Sequence, residues 1–210
     1  MEHNSQSIET IRMLIATTPK SEIVPIVRIL ATEYHFVSLS EIDVGAMIPM
    51  CETADQARLL VNSAIHRPDD RRGTTFNLAH DEDRSGSIPE IIQSANNETL
   101  LISRIVTARG LENVEEIASA PGIDAVWIGL YDLTLSLGIP GQMTHPEMLA
   151  ATDRVFAGWQ ARNNAPAALV TSISEGEAKL QRGFTLITSS GDLWIYEVAF
   201  FWGDHNSPND

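Results

Sequence analysis

Carboxylate and guanidinium side chains stand where a folded α/β chain could use them for chemistry. Asp132 follows the apolar run 125–130, which is typical of a buried strand. A carboxylate there can bind a cation at the end of a strand or cap the following helix, and both roles stay open. Arg67, Arg71 and Arg72 form a basic cluster that could bind a small anion. Composition alone favours a solvated basic turn for the cluster.

Size and charge limit the class of protein. The chain has 210 residues, of which 43% are hydrophobic, and this suits one globular domain. A net charge of −14 argues against nucleic acid or an anionic membrane as a partner. No apolar run approaches the ~20 residues of a membrane span, and the N-terminus has no export signal. Because Cys51 is the only cysteine, no internal disulfide is possible, and we expect a cytoplasmic location.

Short apolar runs alternate with helix-like stretches, which predicts βαβ units and a parallel sheet. An amphipathic helix is expected around Ile8, Ile11, Leu14 and Ile15. Six strands are expected, at 23–29, 47–50, 100–106, 125–130, 167–170 and 186–189. Further helices are expected from the cap at Thr53, near 110–119, 146–162 and 174–182, and from about 192.

The pattern predicts one domain, residues 1–203, followed by a polar tail at 204–210. Residues 67–87, rich in Pro, Asp, Arg and Gly, are expected to form a long loop. Periodicity fits a (β/α)₈ barrel and an open doubly wound sheet equally well.

Several stretches of the chain resemble the HpcH/HpaI aldolase family in order and spacing. They are Glu2-His3, residues 43–46, 48–50 and 53–58, Pro68 to Gly73, Gly122 to Thr134, Leu137-Gly138 and His145-Pro146-Glu147. The resemblance implies a TIM (β/α)₈-type barrel of the phosphoenolpyruvate/pyruvate superfamily. Compared with that family, the chain begins just after the second strand, so an N-terminally truncated barrel of about six strands is expected.

The resemblance also implies a reaction, a cofactor and a set of site residues. The family's class II aldolases cleave a 4-hydroxy-2-oxo acid to pyruvate and an aldehyde, with Mg²⁺, Mn²⁺ or Co²⁺ as the Lewis acid. The implied residues are His3 as base, Arg72 as oxyanion clamp, Asp81 (or Asp83) to orient the histidine, Asp132 as metal ligand, and Arg104, Gly129 and Tyr131 around the substrate.

One position departs from the family pattern in a way that affects the metal. Where the family has Gln-Ile-Glu, with the glutamate as second metal ligand, this chain has Arg104-Ile105-Val106. Valine has no lone pair, and one carboxylate is a poor site for Mg²⁺ or Mn²⁺. Arg104 could put a positive charge where the metal lies, or it could point away into solvent. Glu52 could serve as a substitute carboxylate, although a first-turn helix acid suits it better.

Two functions remain open. The first is a carbon–carbon lyase, and the second is a catalytically impaired relative that keeps the scaffold for oligomerisation or weak binding of an oxo acid. In both, the expected partner is a small 2-oxo acid such as pyruvate. The resemblance implies a homo-oligomer, and an aromatic C-terminal segment (Trp194, Tyr196, Phe200, Phe201 and Trp202) would suit an interface.

Overall fold

A parallel β-sheet forms the centre of the molecule. The computed structural model describes residues 8–17, 25–29, 45–74, 86–160, 165–170, 172–189, 191 and 196. Each strand of the sheet pairs in parallel with the next one along the chain. Within the described ranges, the six strands are β1 (Ile26–Arg28), β2 (Gly45–Ile48), β3 (Leu101–Ile105), β4 (Ala125–Ile128), β5 (Ala165–Val170) and β6 (Leu186–Ser189).

Helices connect the strands and cover the sheet. In the described residues they are α1 (Ile8–Ala16), α2 (Ala54–Ala64), α3 (Ile88–Glu98), α4 (Ala108–Glu112), α5 (Val114–Ala118), α6 (Leu130–Ser136), α7 (Pro146–Gln160) and α8 (Ile173–Gln181). Alternating strands and helices in this order form a (β/α) half-barrel, which confirms the expected fold class. No helix among the described residues is long and apolar enough to cross a membrane.

The two faces of the sheet have different roles. The large core contains outer-face strand residues such as Ile48, Ile105 and Ile128, together with residues of α2, α5 and α7. A second, smaller cluster contains Met47 and Ile102, which are register partners, and its described members include no helix residue. Since side chains alternate between the faces of a strand, the helices cover one face and the second cluster lies on the inner face of the half-barrel.

Most of the expected elements are present, with two differences. The stretch expected as one helix near 110–119 is two short helices, α4 and α5, which meet at Asn113. Helix α3 was not expected. Its N-terminus has a capping box, in which the Ser87 N–H and hydroxyl both donate to the Glu90 carboxylate. The expected tail at 204–210 lies outside the described residues.

The cap expected at Thr53 is confirmed, and it fixes the connection after β2. The Thr53 hydroxyl accepts a hydrogen bond from the Gln56 N–H, and the Gln56 side chain accepts one from the Thr53 N–H. Together these bonds satisfy backbone donors that the first turn of a helix leaves unpaired. Helix α2 therefore begins close to the carboxyl end of β2 and runs back along the sheet.

Two helical glycines make a matched test of this packing. A Cβ added to Gly110 would lie 2.6 Å from the Cys51 carbonyl oxygen, which is backbone, whereas a Cβ at Gly158 meets no atom nearer than 3.9 Å. Gly110→Ala is expected to lower the free energy of unfolding by about 1–3 kcal/mol, because the strand end must shift. Gly158→Ala is expected to raise it by roughly 0.5–1 kcal/mol through helix propensity. Urea unfolding of both variants measures the difference, and equal effects would contradict the close approach of α4 to β2.

Candidate functional site

An arginine and an aspartate form an ion pair where β3 and β4 end. Arg104 is the fourth residue of β3, and it lies on the inner face because the next residue, Ile105, belongs to the outer core. Asp132 lies in the first turn of α6, directly after β4. Arg104 Nη2 donates a 2.7 Å hydrogen bond to Asp132 Oδ2, and 15% of the arginine side chain and 47% of the aspartate side chain are exposed. Arg104 therefore points at Asp132, which decides between the two directions left open by the sequence.

A glycine gives the guanidinium its space. An added Cβ at Gly129 would lie 2.6 Å from Val106 Cγ1 and 2.8 Å from both Nε and Nη2 of Arg104. The Gly129 N–H donates to the Ile105 carbonyl, which holds the end of β4 against β3. Any side chain at this position would push Arg104 away from Asp132. The small residue is required by the close approach of its neighbours.

Arg104 of the ion pair lines a cavity of about 290 Å³ at this end of the sheet. The described residues that line it are Arg104, Trp127, Ile128, Gly129, Leu130, Tyr131, Met143, Leu169 and Glu175. Three residues predicted to surround a substrate, namely Arg104, Gly129 and Tyr131, thus line one cavity. Tyr131 lies at the rim, with 55% of its surface exposed. The carboxyl ends of the strands are where barrel proteins place their sites.

Comparison with known proteins gives this cavity its context. The profile of the HpcH/HpaI aldolase/citrate lyase family matches residues 5–194. The chain belongs to the HpcH/HpaI aldolase/citrate lyase family.

Two curated relatives of the chain are both named as aldolases. The chain is 26% identical over 201 residues to 5-keto-4-deoxy-D-glucarate aldolase of Klebsiella pneumoniae, a match that covers 94% of this chain and 77% of the relative. It is 31% identical over 161 residues to hydroxypyruvate/pyruvate aldolase of Chromohalobacter salexigens, covering 75% of this chain and 63% of the relative. That second match spans less than two thirds of the relative.

Solved structures agree on the fold. The HpcH/HpaI aldolase from Desulfitobacterium hafniense superposes with a TM-score of 0.89 at 24% identity, covering 99% of this chain and 82% of that one. An HpcH/HpaI aldolase/citrate lyase family protein from Burkholderia cenocepacia gives 0.83 at 28% identity, covering 98% and 82%.

The donor set of this HpcH/HpaI family member does not fit the divalent metal that the resemblance implies. Val106, which replaces the expected glutamate, is buried and offers no donor atom. The other expected ligand, Asp132, is bound by the Arg104 guanidinium. Among the described residues, no group of three His, Cys, Asp or Glu side chains could hold a metal ion. A fixed guanidinium charge lies against the carboxylate that a metal would need.

Glu52, the possible substitute carboxylate, has a structural role. The Thr107 hydroxyl donates to Glu52 Oε1 at 2.9 Å, and the Asn113 side-chain amide donates to the Glu52 carbonyl at 2.8 Å. These bonds tie the end of β2 to α4 and α5, and Glu52 does not line the described cavity.

The adjacent Cys51 is fully buried, and burial raises the pKa of its thiol to about 11, so the thiol stays neutral.

Arg72 lies elsewhere in the barrel. It is 5% exposed, its backbone N–H donates to the Ile65 carbonyl, and its guanidinium donates to the Ala64 carbonyl at 3.2 Å. These carbonyls are at the end of α2, an 11-residue helix that runs about 16 Å back from the strand ends that carry Asp132. The expectation that Arg72 and Asp132 share one site is therefore corrected, because the direction of α2 separates them. The solvated turn that composition favoured for Arg72 is also wrong.

Two predicted site residues, His3 and Asp81, lie outside the described residues. Two charged residues of this region, Arg28 and Glu175, were not identified from the sequence. Arg28 ends β1 in register with Met47 on the inner face, and its neighbour Val27 packs on the outer core. Alternation within the run 23–29 could have identified Arg28 as an inward cation. Glu175, in the first turn of α8, reaches the cavity only through the tertiary fold.

Metal binding tests the ion pair. Mn²⁺ titrated into the wild-type chain is expected to show no saturation below about 1 mM, because the described residues of the site offer too few oxygen ligands. Val106→Glu should strengthen Mn²⁺ binding because it adds a carboxylate ligand. The gain should be modest, because Arg104 can also pair with the new carboxylate. Val106→Glu with Arg104→Gln is expected to bind at least about tenfold more tightly than the wild type.

The control is Val106→Gln with Arg104→Gln, which removes the cation without adding a carboxylate and should not bind. Isothermal titration calorimetry provides the measurement. Micromolar affinity in the wild type would contradict the interpretation, and so would a double variant with unchanged affinity.

Proposed function

We propose that the cavity beside Arg104 and Asp132 binds a small 2-oxo acid such as pyruvate, and that the chain keeps the aldolase scaffold with little metal-dependent turnover. The observation that supports this most directly is the 2.7 Å ion pair at the carboxyl ends of β3 and β4. It puts a permanent cation at the mouth of the barrel and occupies the carboxylate expected to hold a metal.

Arg104 supplies the chemistry that a carboxylate ligand needs. A guanidinium has five N–H donors in a planar fork, which suits paired hydrogen bonds to a carboxylate. Because Asp132 is nearly half exposed, its side chain can turn toward water when a ligand approaches. Arg28 adds a second positive charge to the inner face. The guanidinium would then orient the oxo acid, while the apolar walls exclude water.

A lyase is the second candidate, and the two relatives favour it, since both are named as aldolases. In that reaction a base takes the C4 hydroxyl proton, the C3–C4 bond breaks, and its electron pair passes into the enolate of pyruvate. An aldehyde leaves, and protonation at C3 completes pyruvate. His3 is the proposed base by resemblance, and Arg104 would hold the enolate charge.

The remaining parts of the proposal rest on resemblance and composition. They are a homo-oligomeric assembly, a cytoplasmic location, and one barrel domain through residue 203. Size-exclusion chromatography with light scattering would measure the assembly directly.

Binding of pyruvate tests the main proposal. Arg104→Gln is expected to weaken pyruvate binding about 10- to 100-fold, because charge-assisted hydrogen bonds contribute about 1.5–3 kcal/mol. The matched control is Arg109→Gln, whose exposed side chain lies 3.9 Å from Glu52, and it should bind as the wild type does. Ligand-observed NMR measures both. Unchanged affinity in Arg104→Gln would refute the assignment of the cavity.

Turnover separates the two candidates. A coupled assay for pyruvate release from a 4-hydroxy-2-oxo acid is expected to show little activity, with or without added Mg²⁺ or Mn²⁺. Robust release that rises with Mn²⁺ would establish the lyase and remove the impaired alternative.

A further inference from the structure

The lining of the cavity combines charged and hydrophobic residues. Arg104 belongs to the lining, and its guanidinium contacts Asp132. Most of the other lining residues are hydrophobic, namely Trp127, Leu130, Met143 and Leu169, whereas Ile128 has its side chain in the outer core. Apolar walls around a few placed polar groups are the usual composition of a small-molecule pocket.

The second charged group in the lining is an acid. Glu175 is half-buried in the first turn of α8 and lines the same cavity as Arg104. The described lining residues thus contain one cation and one anion, and the cation already has an aspartate beside it. A ligand with one carboxylate can meet the guanidinium. A second carboxylate on the same ligand would lose hydration against apolar walls and face the like charge of Glu175.

We infer that this cavity selects 2-oxo monocarboxylates with a short apolar substituent, and that Glu175 determines specificity by repelling a second carboxylate. The inference rests on the proposed function, since Arg104 must first bind the oxo-acid carboxylate. The substituent lies against Trp127, Met143 and Leu169. A cavity of about 290 Å³ is near the lower limit for ligand pockets, which suits a small branched chain.

The test compares three ligands on the full chain by isothermal titration calorimetry: pyruvate, 4-methyl-2-oxopentanoate and 2-oxoglutarate. The branched acid is expected to bind more tightly than pyruvate, by about fourfold for each methylene that it buries. The dicarboxylate 2-oxoglutarate is expected to bind more weakly than either.

Glu175→Gln should raise the affinity for 2-oxoglutarate about tenfold and that for pyruvate by a smaller factor, because pyruvate has no second carboxylate to face the charge that is removed. Glu177→Gln is the control, since Glu177 is exposed on the same helix and does not line the described cavity. A second variant, Met143→Gln, should weaken the branched acid by a larger factor than pyruvate, because the branched acid buries more apolar surface. Thermal melts verify that each variant is folded.

The outcomes separate the two proposals. If no oxo acid binds the wild type, both the proposed function and this inference fail. If 2-oxoglutarate binds as tightly as the branched acid, or if Glu175→Gln changes nothing, the cavity still binds oxo acids and only the inferred selectivity is overturned.

Discussion

The ion pair between Arg104 and Asp132 is the interaction on which the site depends. Its 2.7 Å length requires that β3 and β4 end side by side, that α6 begins at once after β4, and that Gly129 has no side chain. A guanidinium stays charged at any physiological pH, so the carboxylate has a cation attached to the same chain. A diffusible metal ion would have to displace that charge and would find buried Val106 in place of a second ligand.

The fold tolerates Arg104 on the inner face because the large hydrophobic core lies on the other face of the sheet. The helices pack against outer-face residues such as Ile105 and Ile128, and these contacts do not involve Arg104. Close packing makes the outer core sensitive to volume, whereas polar substitutions at the strand ends on the inner face leave it intact. The family fold and an altered mouth can therefore coexist in one chain.

The strands were predictable because short runs of apolar and β-branched residues are a local signal. Helix α3 was missed although its sequence carries two local signals, the helical spacing of Ile88, Ile91, Ile92 and Ala95 and the Ser87–Glu90 box. Local sequence could not place Arg72, because the end of the barrel to which it belongs is set by the direction of α2. Glu175 gave no signal at all, as it reaches the cavity from a helix far along the chain.

The charge of the group that meets the substrate affects binding and turnover differently. A divalent cation concentrates two charges on the keto oxygen and lowers the energy of the enolate directly. The guanidinium of Arg104 has one charge spread over three nitrogens, and Asp132 neutralises part of it. Such a group orients a carboxylate well through paired hydrogen bonds but polarises a ketone weakly. Interactions equally strong with substrate and transition state improve affinity without accelerating the chemical step. Under the proposed function, a site with Arg104 in place of a metal favours recognition of an oxo acid over its cleavage.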